Sequence, residues 1–386
     1  MTKEHNHSAS PRPQGIPRRE FIKLAAVAGL LAGCRPLKEA VSPASTPTPT
    51  PTPAPTTTPT PAPTTTPATV PTATPTATPT TTPLPPQPEI IKFYPDVPSK
   101  IVRAHHADVW DGETLVSEAI QQMLDASITA LTGLNDAIES WAALFDPSER
   151  IAIKVNTIIT SDFWTHVPLV VAVTEQLQAV GIPPDQIIIF DRDMYELKHA
   201  GYTTNEDGPG VRCYGTGGRY TAGWTLMDSD ILLSDILLNC DALINIPILK
   251  HHSHSGITFA MKNHFGTFNR PSSFHRPHTG AAIVELNALP PIRDRTRLII
   301  GDTLTICPIS RHGWFEAVTG NSILMSFDPV AHDAVGLQML NEARASEGHD
   351  QAEVLDLATP WLASAAESGL GTNDPDDMDL VEVNLR

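Results

Sequence analysis

Cysteine is scarce: four in 386 residues, too few for a disulfide scaffold, and none spaced as C-x-x-C. That excludes a cysteine-rich zinc site and a locally ligated iron–sulfur cluster carried by this chain. G-x-S-x-G, Walker, G-x-G-x-x-G and H-E-x-x-H patterns are also missing, so the standard hydrolase, nucleotide and metalloprotease signatures do not apply. Gly215-Thr216-Gly217-Gly218 follows no strand-to-helix setting and is no phosphate cradle. No apolar run reaches the ~20 residues of a membrane-spanning helix. No internal repeat is evident in the folded part. Residues 43–88 hold no charge and scarcely a large apolar side chain; they are almost wholly Pro, Thr and Ala. Such a segment cannot bury enough surface to offset its ordering entropy and reads as a disordered linker. In polyproline geometry it reaches at most ~140 Å.

Basic charge is scarce too, and unevenly placed. The chain carries a net charge of −17, with 26 Lys and Arg against 43 Asp and Glu. Residues 1–42 hold seven of the basic and three of the acidic groups, which leaves 19 basic and 40 acidic side chains in residues 89–386. A net −21 there argues against nucleic acid and against an electrostatic grip on anionic lipid.

The N-terminus has what the linker lacks. Arg18-Arg19-Glu20-Phe21-Ile22-Lys23 precedes a short apolar run, Leu24 to Ala32, which resembles a twin-arginine export signal with Pro17 where Ser or Thr is commoner. Leu31-Ala32-Gly33-Cys34 resembles a bacterial lipobox, with cleavage before Cys34 and acylation of its sulfur. The expected domains are therefore a signal peptide over 1–33, a linker over 34–88 and an α/β globular domain over 89–386. The expected location is the extracytoplasmic cell envelope, with the membrane touched only through the lipid anchor and the twin-arginine machinery as a partner. With Cys34 acylated, Cys213, Cys240 and Cys307 allow at most one disulfide.

From residue 101 onward strands and helices alternate. Apolar runs at Ile101–Ala104, Arg150–Asn156, Gln186–Asp191, Ala242–Ile246, Leu298–Asp302 and Ser322–Phe327 read as strands. Helical periodicity appears over Leu115–Leu131, Asp136–Phe145, Val167–Val180, Met194–Ala200, Ala282–Leu289, Pro329–Asn341 and Gln351–Leu370. Residues 203–225 read as an irregular excursion or small hairpin, and Asp374–Asp379 as an acidic loop. This alternation predicts a mainly parallel, doubly wound α/β sheet with flanking helices, in one large domain.

In such sheets ligands bind beyond the carboxyl ends of the strands. Residues 89–386 contain six lysines, and Lys154, Lys250 and Lys262 lie at or just after strand ends. Gathered in an acidic domain, they suit a carboxylate or phosphate ligand, with Asn156 and Asn263 beside them. The run from Asp241 to Gly266 is the centre of this reading. Pro247 stops a buried strand, Lys250 to His254 form a loop, Ser255 caps a short helix with Lys262 and Asn263, and Gly266 supplies a left-handed stop. Plainer roles stand beside each: Lys154 pairs with an acid, Lys262 complements a helix C-terminus, and the histidines form a solvated loop. A divalent metal site needs His252 and His254 to converge with Asp302, Asp328 or Asp333; His264, His275 and His278 are further candidates.

Lys154-Val155-Asn156, Asn245-Ile246-Pro247-Ile248-Leu249-Lys250-His251-His252, Met261-Lys262-Asn263 with Gly266, Asp302, and Asp328 with Asp333 together resemble the motif series of domain-of-unknown-function family 362. Val155 and His251 depart from its commoner Lys-Pro-Asn and Lys-Thr-His. Many relatives carry an appended ferredoxin-type module, whose cysteine pattern this sequence does not contain. The resemblance marks site positions without implying an activity. Two classes of function stay open. One is an enzyme acting on a small anion, with His252 as general base or ligand, Lys250 as catalytic cation and Asp302 as ligand or orienter. The other is a non-catalytic ligand-binding or redox-partner subunit.

Overall fold

Ile151 and Ile153 pack into one hydrophobic core while Ala152 between them packs into another, the two-sided burial of an interior parallel strand. The computed structural model describes residues 88, 90, 91, 97–158, 163–311 and 314–386, all within the unit Ala77–Arg386. Arg18, Arg19, Cys34 and the linker up to residue 87 lie outside the described residues.

In chain order the strands are β1 (Ser99–His106), β2 (Trp110–Asp111), β3 (Thr114–Leu115), β4 (Ile151–Lys154), β5 (Ile187–Asp191), β6 (Arg212–Gly215), β7 (Tyr220–Leu226), β8 (Ser229–Ser234), β9 (Ala242–Asn245), β10 (Ile248–His252), β11 (Gly256–Thr258), β12 (Thr296–Arg311), β13 (Trp314–Ser326) and β14 (Met378–Leu385). The helices are α1 (Ser117–Thr132), α2 (Ala137–Leu144), α3 (Val167–Ala179), α4 (Met194–His199), α5 (Asp235–Asn239), α6 (Ala260–Asn263), α7 (Thr279–Ala288), α8 (Pro290–Arg293), α9 (Pro329–Ser346) and α10 (Ala352–Glu367).

Among the described residues ten strands form one sheet, ordered β14-β1-β13-β12-β9-β4-β5-β6, with β10 continuing along β12 and β11 paired to β10. Six of its pairings are parallel and three antiparallel, the latter at β1–β13, β12–β13 and β10–β11. The sheet is thus mainly parallel, as the alternation predicts. Apolar stripes of α1, α2 and α3 cover one face through Ile120, Leu124, Trp141 and Val170. Those of α7, α9 and α10 cover the other through Ile283, Leu340 and Trp361. No helix among the described residues is long and apolar enough to cross a membrane.

The chain runs outward from β4 to β5 and β6, then returns to lay β9 on the opposite side of β4. Between β4 and β9 the winding reverses, and loops leaving those two strands diverge to leave a crevice. Pro247 breaks the pairing after β9, its carbonyl accepting from the Asp302 amide at 2.8 Å. The chain then resumes as β10 along the same strand, with Lys250 opposite Cys307. The β10–β11 hairpin therefore stands beyond the carboxyl end of β4 as a wall of the crevice.

Three elements differ from expectation. The segments expected as short strands near Asp302 and Ser322 belong to one long ribbon, β12–β13, with register shifts at Thr303/Thr305 and Ile306/Ile309. Its polar threonines and serines interrupt the apolar signal. The small hairpin allowed for within 203–225 lies further on, as β7–β8 from Tyr220 to Ser234, turned at Met227 and Asp228 with φ of 49° and 57°. The acidic stretch after Asp374 runs into β14, a half-exposed edge strand parallel to β1. Cys213, Cys240 and Cys307 are all buried and free.

Candidate functional site

Lys154 is the last residue of β4 and lies opposite Asn245, the last residue of β9. Its side chain is 1% exposed. The ammonium stands 2.8 Å from Asp191 Oδ1 and donates to the Val155 carbonyl at 2.6 Å. Asp191 ends β5, and its other oxygen accepts from the Thr157 amide at 2.7 Å and hydroxyl at 2.9 Å. Burial pushes the Lys154 pKa down, and the Asp191 charge opposes that shift. Gly266 packs against this pair: a Cβ there would stand 2.5 Å from Asp191 Oδ1 and 2.6 Å from Lys154 Nζ. The expected left-handed stop is therefore replaced by a close-approach role. Gly266 sits in the 3₁₀ turn His264–Thr267 and is not among the positive-φ glycines.

Amide side chains tie the lysines together. Lys250 Nζ donates to Asn156 Oδ1 at 2.9 Å and to the Phe163 carbonyl at 3.1 Å. Asn156 Nδ2 donates to Asn263 Oδ1 at 3.0 Å, and Asn263 Nδ2 to Asn245 Oδ1 at 2.7 Å. Asn245 Nδ2 ends the series on the Ala260 carbonyl at 2.8 Å. An amide oxygen only accepts and an amide NH₂ only donates, so each link fixes the orientation of the next. Lys250 is 4% exposed, and burial lowers its pKa to about 8.

Lys262 comes from the one-turn helix α6, which carries no cap of its own. Asp333 on α9 supplies it, accepting from the Ala260 amide at 2.7 Å and the Met261 amide at 3.0 Å. Lys262 Nζ lies 3.3 Å from His275 Nε2 and 3.4 Å from the centroid of the Phe265 ring. Burial first, and then the Lys250 charge, hold its pKa well below the usual lysine value.

His251 and His252 are strand residues, and only His254 lies in a turn. Lys250, His251 and His252 extend β10 and pair with Thr258, Ile257 and Gly256 of β11. Ser255 donates to the Ile257 carbonyl at 2.8 Å instead of capping a helix. The turn brings His252 and His254 against His275, with ring centroids 5.2 to 5.5 Å apart and one nitrogen of each ring within 4.8 Å of the others. Burial and neighbouring cations keep all three neutral: His252 falls well below the usual value and His275 to about 4.

Lys154, Asn156, Lys250, His252, Lys262 and Asn263 line one cleft of about 170 Å³. The three aspartates expected beside the histidines are elsewhere. Asp302 Oδ2 accepts from the His166 amide and ring Nδ1, both at 2.8 Å, and Oδ1 from the Leu304 amide at 3.2 Å. Asp328 caps α9 through the Val330 and Ala331 amides and also accepts from Ser99 Oγ at 2.5 Å. Asp333 is occupied in capping α6. Asp302 is engaged by amides and His166, Asp328 by amides and a hydroxyl, and Asp333 by amides; none of the three lines the cleft or joins the histidine cluster among the described residues. His275, a further metal candidate in the sequence, does join the histidine cluster, whereas Asp191 and Asn245 had no ligand or catalytic role assigned to them. Both of these end buried strands beside β4, which is the signal that points to a role for them. Four larger hollows, of about 490, 650, 470 and 430 Å³, lie elsewhere among the described residues, none lined by more than one lysine.

Residues 151–338 match the model of a family described as a domain of unknown function, DUF362. That span is a little under half of the chain, and it contains every motif residue named above from Lys154 to Asp333. The match supports that family. No curated protein matches the chain. Among solved structures, the lactate racemase apoprotein from Thermoanaerobacterium thermosaccharolyticum is similar at 9% identity and a TM-score of 0.31, over 57% of this chain and 54% of that one. The chain thus spans about half the length of that protein.

Proposed function

We propose that this is an exported, lipid-anchored α/β protein that binds an anionic small molecule in the lysine-lined cleft and acts on it as an enzyme. One observation carries the reading. Three of the six lysines in residues 89–386 converge on a single cleft, each 5% exposed or less, in an otherwise acidic domain.

The roles differ. Lys154 is committed to Asp191 and sets the positions of its neighbours. Lys250 and Lys262 offer donors to a carboxylate or phosphate. His252, held neutral at the cleft wall, is the general base, and Lys250, with a pKa of about 8, can return a proton near neutrality. A second reading, a non-catalytic binding or redox-partner subunit, has one observation in its favour. With Asp302 engaged by His166, His252 has no carboxylate partner among the described residues.

Calorimetric titration of the full chain with a panel of small carboxylates and phosphate esters tests the proposal. Binding should appear in the wild type and vanish in Lys250→Met. His252→Gln should bind the same ligand without exchanging its acidic carbon-bound proton for deuterium. If the panel leaves no binding signal, the proposal fails; if the wild type binds without exchanging that proton, the second reading replaces it; and if His252→Gln exchanges at the wild-type rate, His252 is not the base.

A further inference from the structure

His252, His254 and His275 reach one point from two segments: the β10–β11 turn supplies the first two, and the turn Pro271–Phe274 delivers the third. We propose that these three imidazoles form a binding site for one borderline divalent cation, such as zinc, cobalt or nickel, with an open position facing the lysine cleft. The inference deepens the anion-binding reading by taking His252 as a metal ligand in place of the general base, and rests on that reading only for the identity of the group that fills the open position.

An all-nitrogen donor set suits those ions and not magnesium or calcium, which take oxygen ligands. No carboxylate belongs to the cluster among the described residues. His254 Nδ1 is buried with no hydrogen-bond partner, so a ring nitrogen in the cluster has no competing protein contact. Three protein nitrogens with one vacant position is the arrangement of metal sites that bind a ligand, as opposed to closed structural sites.

The fit requires small movements. Nitrogens within 4.8 Å of one another must close to ~3.3 Å for tetrahedral bonds of ~2.0–2.1 Å. His252 Nδ1 now accepts from the His254 amide at 3.2 Å; coordination through either ring nitrogen gives up that long hydrogen bond. All three rings are half-buried, so rotation about their side-chain bonds is enough. Lys262, beside His275 at 3.3 Å, places a cation next to the metal. An anion bridging metal and ammonium relieves that repulsion, so metal and anion should strengthen each other's binding by the same factor.

The test uses purified full chain, stripped with a chelator and dialysed against Co²⁺ alone. The expected result is one Co²⁺ per chain with the visible absorption of nitrogen-ligated, low-coordinate cobalt. His254→Gln and His275→Gln should each weaken binding by at least the ~10–100-fold that even an outer-shell change costs, with circular dichroism unchanged. Lys250→Met should lose anion binding and keep Co²⁺ at one per chain. Co²⁺ bound without any anion affinity upholds the metal site and removes the anion reading. Anion binding with no stoichiometric Co²⁺, or His275→Gln that binds Co²⁺ as the wild type does, overturns the metal site.

Discussion

The Lys154 ammonium and the Asp191 carboxylate stand 2.8 Å apart, both almost wholly buried, at the carboxyl ends of adjacent parallel strands. Two charges removed from water at this distance are stable only while both are present and their remaining hydrogen bonds are satisfied.

Asp191→Asn should therefore destabilise the domain by ~3–5 kcal/mol, the cost of leaving one buried charge without its partner. Gly266→Ala should destabilise it by ~1–3 kcal/mol, because the new methyl meets two side-chain ends pinned by that pair. Urea unfolding midpoints decide both. An alanine at 266 with a wild-type midpoint would show that the pair can slide.

Lys250→Met removes a donor from Asn156 and from the Phe163 carbonyl, a loss of ~1–3 kcal/mol. It also removes a charge that burial disfavours, so the net change in stability should be small. Binding of the anion should disappear. Unfolding of the variant at room temperature would make Lys250 a structural residue and take away the centre of the site.

The pH dependence has a definite sign. Lys250 titrates at about 8 when folded and at ~10.4 when unfolded. Below about pH 8 it is charged in both states and its burial is a constant cost. Between the two values the unfolded chain holds the extra proton, so this group's contribution to stability rises with pH, by up to ~1.4 kcal/mol per unit. Anion affinity should do the opposite and fall by ~10-fold per unit above about 8, as the ammonium is lost. Titration calorimetry across this range reads the slope. Lys250→Arg, if it still binds, should give a flat profile, since arginine keeps its charge; an unchanged inflection would assign the titration to another group.

The address is testable independently. Arg18→Lys with Arg19→Lys should leave the precursor in the cytoplasm, and Cys34→Ala should give exported protein that is unanchored or unprocessed. Cell fractionation with immunoblotting separates the cases, and wild-type protein in the soluble cytoplasm would end the export reading.

Much of the fold was legible because buried parallel strands write themselves as apolar runs, as Ile151–Ile153 and Leu243–Ile244 do. Lys154, Lys250 and Lys262 were legible as a group because lysine is rare in an acidic domain. The β10–β11 hairpin was not, since Lys250, His251 and His252 are strand residues with polar side chains and periodicity treats them as loop. Asp328 is legible as a helix cap, since its Val330 partner is two residues away; only tertiary contacts reveal His166 and the Ala260 amide as the partners of Asp302 and Asp333. His275 is distant from His252 in sequence, and no local spacing announces their meeting.

The pairing of β1 has a consequence for how the domain is assembled. Its residues hydrogen-bond to β13 on one side and β14 on the other, with Ser99 beside Met378 and Leu385 beside His106. The first strand of the sheet has no local partner. Its strand neighbours lie more than 200 positions further along the chain, so the sheet cannot close until β13 and β14 have both been made. Contacts of such long sequence separation slow folding, because the loop must be closed before it is rewarded. Until then the hydrogen-bonding edges of β1 stay unpaired, although α1 can already cover one of its faces, and the chain in that interval is a natural client for chaperones.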